Sequence, residues 1–281
     1  MVGREITDTI IVLFKQYMIN EEKSTATIEK YIRDIKLFCK FINNSSVTKE
    51  IVIDYKKKLI DEGYGERSIN SMLASINSLF SFLGWFECRV KSLRIQNEIF
   101  RPEEKELSKA EYLKLIKAAK KKQNERLYLI LQTICGTGIR VSELQYITVE
   151  AVQKGCAKVS CKAKNRRIFI VKELRKRLLK YAKGKGITSG KIFITRTGKA
   201  IDRVTIWREM KKLCQEAEVN PSKVFPHNLR HLFARSFYSL EKDVAKLADI
   251  LGHSNINTTR IYIVSTGIEH CKKMESMRLV I

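Results

Sequence analysis

Apolar residues recur at helical spacing through the first ninety or so positions of the chain, and between Lys91 and Lys105 that pattern lapses. Inside the lapse, Arg101-Pro102-Glu-Glu-Lys stops any helix that tries to continue, because proline lacks a donor N–H and restricts the residue before it. At 281 residues the chain is also long for a single core. The break therefore predicts two domains, residues 1–98 and 107–281, joined by a linker over 99–106.

The first domain reads as a small helical bundle. Thr7 or Asp8 opens one helix, with Ile10, Ile11, Leu13, Phe14 and Tyr17 at helical spacing, and Ser24 caps a second. That second helix carries Ile28, Tyr31, Ile32, Ile35, Phe38, Cys39 and Ile42, a stripe broad enough to need a partner, and Asn43-Asn-Ser-Ser ends it. Thr48–Ile60 and Ser68–Phe86 supply two more helices around the turn-rich Asp61-Glu-Gly-Tyr-Gly. These stripes are core, and no catalytic constellation stands among them.

Charge separates the two domains. Lys and Arg total 54 against 30 Asp and Glu, a formal net charge of +24. Residues 1–100 hold 15 basic and 13 acidic residues, so +22 of that excess belongs to the rest of the chain. From Lys154 to Lys212 there are 20 basic residues, opposed only by Glu173, Asp202 and Glu209. An imbalance of this depth favours a polyanionic partner, with nucleic acid the first candidate.

No run approaches the roughly 18 apolar residues that a spanning helix needs, and no signal peptide opens the chain, so a soluble, cytoplasmic protein without a membrane partner is expected. The seven cysteines are scattered through apolar runs and read as reduced core thiols; with neither Cys-x-x-Cys nor His-x-x-x-His spacing, no metal site is expected.

The second domain opens with a capping box at Ser108-Lys-Ala-Glu111, on a helix that runs to Ala119. A longer apolar helix, Leu127–Cys135, stops at Gly136-Thr-Gly138, and Ile139-Arg140-Val-Ser-Glu143-Leu144 starts another directly after the glycines. Ala157–Cys161 and Arg167–Val171 alternate as a hairpin, with Lys162-Ala-Lys-Asn-Arg at its turn. Ile192-Phe-Ile is a further short strand or turn, and Glu173–Ala182 and Val204–Ala217 are helical. Pro226-His227-Asn-Leu-Arg230-His231 begins a helix with proline in its first turn, and His227 and Arg230 share a face of it. Val244–Leu251 is an amphipathic helix ended by Gly252. After it come His253 and, nine residues later, Tyr262, in a segment that Ile256, Ile261 and Ile263 can anchor. The fold class expected is mainly α with a small antiparallel β-sheet: a helical bundle followed by a mixed α+β domain.

Two arginines, a hairpin lysine, histidines and a late tyrosine together supply metal-free phosphoryl transfer onto tyrosine. A phosphodiester gains negative charge as it becomes five-coordinate, and guanidinium groups match its oxygens in bidentate fashion while staying charged. A phenol attacks once a base takes its proton, and the leaving deoxyribose oxygen needs an acid.

The boxes Gly136-Thr-Gly-Ile-Arg140-Val-Ser-Glu143-Leu, the Lys162 hairpin, His227-Asn-Leu-Arg230-His231 and Leu251-Gly-His253 through Tyr262 resemble, in order and spacing, the signature of the tyrosine recombinases, or phage integrase family. The preceding bundle resembles that family's DNA-binding core-binding domain, so the likeness covers nearly the whole chain. It implies that Tyr262 is the nucleophile of a 3′-phosphotyrosyl intermediate. By the same likeness Arg140, Arg230 and His253 hold the phosphate, His227 is the base, Lys162 the general acid, and Glu143 and His231 support them. Lys164 remains the alternative acid, because Cys161 and Ala163 stand where the family commonly has glycine. Lys164, Arg166, Arg167, Arg175 and Arg177 read as phosphate-positioning contacts without base specificity.

The resemblance further implies strand exchange on double-stranded DNA through a Holliday junction, by a homotetramer, without metal, ATP or other cofactor. Length and the lack of a further N-terminal domain resemble the Xer-like members. Ile268–Ile281 would then pack either in cis or into a neighbouring subunit. A type IB topoisomerase-like relaxing enzyme and a non-catalytic DNA-binding protein of the same fold are the rival readings.

Overall fold

The computed structural model describes all residues except 1–3, 44, 96–104, 162, 163, 254, 264–273 and 278–281; for residues 160, 161, 164, 165 and 261–263 it describes the backbone alone. The chain divides into two compact units, Met1–Asn97 and Glu98–Ile281. Most of the expected linker lies outside the described residues.

The first unit contains α1 (Asp8–Asn20), α2 (Thr25–Ile42), α3 (Lys49–Asp61) and α4 (Glu66–Leu83). Thr7, Ser24 and Thr48 cap the first three by accepting from backbone N–H groups that the first turn leaves unpaired. Phe38, Phe80, Tyr55, Leu73 and Ile76 fill the core between α2, α3 and α4, and Phe14 and Met18 bring α1 onto it. The Asp34 carboxylate is sunk in the bundle with Ser75: it meets Lys30 Nζ at 2.6 Å and accepts from Ser75 Oγ at 2.9 Å. The fourth helix does not reach Phe86 as expected. It stops at Leu83, because Gly84 takes φ +75° and releases the chain into a 3-10 turn over Phe86–Cys88.

The second unit begins with α5 (Lys109–Lys121), where Ser108 and Glu111 form the capping box in both directions, at 3.1 and 2.8 Å. α6 (Glu125–Thr137) is buried on nearly all sides. A 3-10 helix (Val141–Tyr146), α7 (Val149–Lys154), the hairpin β1 (Cys156–Cys161) and β2 (Lys164–Phe169), and α8 (Lys172–Gly184) follow. Then come α9 (Arg203–Ala217), α10 (Pro226–Glu241), α11 (Val244–Leu251) and α12 (Ile256–Ile263). Leu127, Ile130, Ile134, Ile168, Leu178, Met210 and Leu229, from five of these elements, share one core. The fold is therefore mostly helical with one two-stranded antiparallel sheet.

The hairpin differs from expectation in register. Cys161 pairs with Lys164, so Lys164, Asn165 and Arg166, expected in the turn, belong to β2. Alternation then turns Arg166 and the buried Ile168 to one face of the strand and the exposed Arg167 and Phe169 to the other. Ile192-Phe-Ile makes only an isolated bridge, Ile194 to Ala200. Among the described residues no helix is long and apolar enough to cross a membrane.

Candidate active site

The site forms where α6, α10 and α11 meet. α6 ends at Gly138 (φ +64°), and a Cβ there would lie 2.4 Å from the Phe233 ring of α10. Glycine is required both by the left-handed turn and by the helix passing against it. α11 ends likewise at Gly252 (φ +66°). Two helix C-termini, each bearing partial negative charge on unpaired carbonyls, thus converge on one spot.

Arg230 of α10 occupies that spot and is 2% exposed. Its guanidinium donates to the Gly138 and Leu251 carbonyl oxygens, and its second terminal nitrogen lies 2.9 Å from His253 Nε2. A buried guanidinium keeps its charge, so such acceptors are what make the placement tolerable. Arginine only donates, which makes Nε2 the acceptor and leaves the His253 proton on Nδ1, 2.8 Å from Thr259 Oγ1. The imidazole is held in its neutral form, with its pKa lowered to about 4: burial is the main cause, followed by the fields of Arg230, Arg140, Arg166 and His227.

Arg140 sits just past Gly138, at the head of the 3-10 helix. Unlike Arg230 it is partly open, with 41% of its side chain exposed. Its Nη1 donates to Glu143 Oε1 at 2.9 Å and its backbone N–H to Glu143 Oε2 at 2.8 Å. Glu143 is buried, which raises its pKa, but the Arg140 backbone N–H and the Arg166 charge outweigh burial and hold the carboxyl below its usual range. His227 lies exposed in the first turn of α10, and its ring meets that of buried His231 edge-on at 4.9 Å between centroids.

Residues 105–267 match the Phage integrase family, and residues 11–86 match that family's N-terminal SAM-like domain. The chain belongs to the phage integrase family. Tyrosine recombinase XerA of Pyrococcus furiosus is 31% identical over 269 residues, covering 92% of this chain and 90% of that protein. Two solved structures share the fold. The Tn1549 transposon integrase in complex with transposon right end DNA has a TM-score of 0.74 at 16% identity, over 96% of this chain and 99% of that one. A lambda integrase tetramer bound to a Holliday junction has a TM-score of 0.74 at 17% identity, over 93% of this chain and 78% of the other.

The integrase-family boxes thus contribute two bonded pairs, Arg140 with Glu143 and Arg230 with His253, with His227 and His231 on α10. Tyr262 lies on α12, three residues after Thr259; its side chain is outside the described residues, as are Lys162 altogether and the side chain of Lys164. Among the described side chains of the tyrosine segment Thr259 is fully buried, whereas Ile256, expected to anchor it, is 47% exposed; the side chains of Ile261 and Ile263, expected to share that role, lie outside the described residues. Sequence reasoning passed over Thr259; its one signal was a β-branched polar residue one helical turn before the tyrosine.

Three of the five cations expected to face phosphate are engaged within the protein. Arg166 is turned inward onto Glu143 and the Ile250 carbonyl oxygen. Arg175 donates to the Val152 and Gln153 carbonyls at the end of α7, and Arg177 to Tyr128 and Glu173. These last two hold α8 against α7 and α6. Arg167 is exposed on the outer face of β2.

Proposed function

We propose that this chain is a site-specific DNA recombinase that cleaves and rejoins double-stranded DNA through a 3′-phosphotyrosyl intermediate and a Holliday junction. The observation that carries the reading is Arg230, a fully buried cation fixed between two helix C-termini and bonded to a neutral histidine, with the half-open Arg140 two residues past the Gly138 carbonyl that Arg230 holds. Preorganised positive charge of this kind favours a phosphoryl centre that becomes more negative as it reacts.

In this reading the two arginines take the non-bridging oxygens, and His253 contributes a third donor once it gains a proton. Tyr262 attacks phosphorus; its proton passes to His227, and the departing 5′-oxygen takes one from Lys162. The phosphodiester energy is kept in the tyrosyl link, so religation by the 5′-hydroxyl needs neither ATP nor metal. Residues 1–98 act as the core-binding domain and 107–281 as the catalytic domain. Assembly is a homotetramer on two sites, in keeping with the lambda integrase relative, and a DNA substrate places the protein in the cytoplasm.

The test is selection of the bound duplex from randomised DNA, followed by incubation of the protein with a nicked form of the selected site that traps the covalent complex. Wild type forms a protein–DNA adduct and Tyr262→Phe forms none. An adduct with Tyr262→Phe, or none with wild type, would reject the assignment.

A further inference from the structure

Arg166 takes no part in the chemistry above, yet it is built into the same site. One arm of its guanidinium meets Glu143 Oε2 and the other donates to the Ile250 carbonyl oxygen at 2.6 Å. Arg230 takes the carbonyl of the next residue, Leu251. The two arginines therefore hold successive carbonyls at the C-terminal end of α11. Space for Arg166 is provided by Gly252, where a Cβ would stand 2.3 Å from Arg166 Cδ.

The consequence falls on Arg140. Glu143 offers two oxygens, and a guanidinium facing a free carboxylate prefers to engage both through two of its nitrogens. Here Oε1 receives Arg140 Nη1, while Oε2 is taken by Arg166 and by the Arg140 backbone N–H. Arg140 is thereby limited to a single side-chain bond and stays half exposed. With Arg166 present, the Arg140–Glu143–Arg166 group carries a net positive charge. Without it, the Arg140 and Glu143 charges would cancel and the guanidinium would be free to close onto the carboxylate.

We propose that Arg166 is a positioning residue that occupies Glu143 so that Arg140 is presented, charged and open, to the scissile phosphate. This rests on the recombinase reading. It also replaces the role expected for Arg166 from sequence, an outward contact to DNA.

The experiment compares adduct formation on two nicked duplexes of the selected site, one with the ordinary scissile phosphodiester and one with a neutral methylphosphonate there. Wild type, Arg166→Met, Arg166→Lys and the double variant Arg166→Met with Glu143→Gln are assayed, alongside duplex affinity and thermal midpoint. Arg166→Met slows the adduct on the phosphodiester by about 10²-fold, the scale of losing one preorganised donor, and on the methylphosphonate by only about 3-fold, because a neutral phosphoryl group needs less positive charge. Adding Glu143→Gln recovers part of the loss by removing the carboxylate that captures Arg140. Should Arg166→Met fold poorly, Arg166→Lys decides: it keeps the charge without the fork, loses less than Arg166→Met on the phosphodiester and matches wild type on the methylphosphonate. Equal losses on both substrates would mean a purely structural role, and no loss on the phosphodiester would mean no role; either overturns the proposal. Wild type that forms no adduct on either duplex strikes the recombinase reading instead.

Discussion

Asp34 in the first unit and Arg230 in the second are both buried charged side chains, and the two are treated in opposite ways. Asp34 in the N-terminal bundle is 2% exposed and meets a lysine and a serine hydroxyl, so its charge is matched where it stands. Arg230 in the second unit is equally buried, and among the described residues it bonds two carbonyl oxygens and an imidazole, neutral groups that stabilise a cation. A matched charge fixes the packing of α2 against α4. A cation seated on neutral acceptors suits an anionic ligand, and the buried carboxylate near Arg140 in sequence, Glu143, is shared by Arg140 and Arg166.

The sharpest way to break this contrast is to remove each charge and compare folding with chemistry. Arg230→Lys keeps the charge but cannot span three acceptors, and adduct formation should fall by about 10³-fold while the thermal midpoint moves by only a few degrees. Asp34→Ala should do the reverse. It removes the carboxylate that Lys30 and Ser75 share, leaving them each other and the Ser71 carbonyl, and destabilises the bundle by about 2 kcal/mol in denaturant unfolding, with the adduct rate per folded molecule unchanged. If Asp34→Ala slowed the chemistry as much as Arg230→Lys, the distinction between a structural and a functional buried charge would be lost.

The same contrast marks what was legible in the sequence. Features set by local chemistry read correctly: the Ser24 cap, the Ser108 capping box, and the glycine ends at Gly138 and Gly252, each decided by residues within one turn. The boxes containing Arg140, Glu143, Arg230 and His253 could be named because their order along the chain carries them. What could not be read were partners far apart in sequence. Starting β2 at Arg167 left Arg166 in a turn, and only the observed pairing of Cys161 with Lys164 shows that alternation points it inward. The excess of basic residues in α8 gave no sign that Arg175 and Arg177 are taken by α7 carbonyls and Tyr128. Charge counts report an average field; they do not say which cations the protein uses on itself.

A smaller effect is expected at Thr259, which ties α12 to the charged centre. Thr259→Val keeps the shape and removes the acceptor for His253 Nδ1–H, leaving a half-buried donor unpaired. The expected cost is about 1 kcal/mol in stability and roughly tenfold in adduct rate, because the ring loses the bond that fixes its tautomer. Thr259→Ser, which restores the hydroxyl, should recover most of the rate; failure to do so would place the effect in packing alone.

The mildest perturbation of the Arg230 charge is pH, and it acts through His253. The imidazole has an ordinary pKa of 6.5 and is held at about 4 in the folded protein, by burial first and by the neighbouring arginines after it. Between those values the unfolded chain binds a proton that the folded one does not, so stability rises with pH across the window. This contribution is complete above about 6.5 and is lost as pH falls toward 4. His253→Gln should flatten that part of the stability profile. A bound phosphate changes the sign of the local field: it draws the Arg230 charge toward itself and favours a protonated His253 that can donate to it. Duplex carrying the site should therefore raise the imidazole pKa and take up a proton on binding, and affinity should weaken as pH rises through the new value. Imidazole NMR titration of Tyr262→Phe with and without the nicked duplex reads both quantities. A free-protein titration at 6.5 that duplex leaves unmoved would show that His253 does not sense the charge at Arg230.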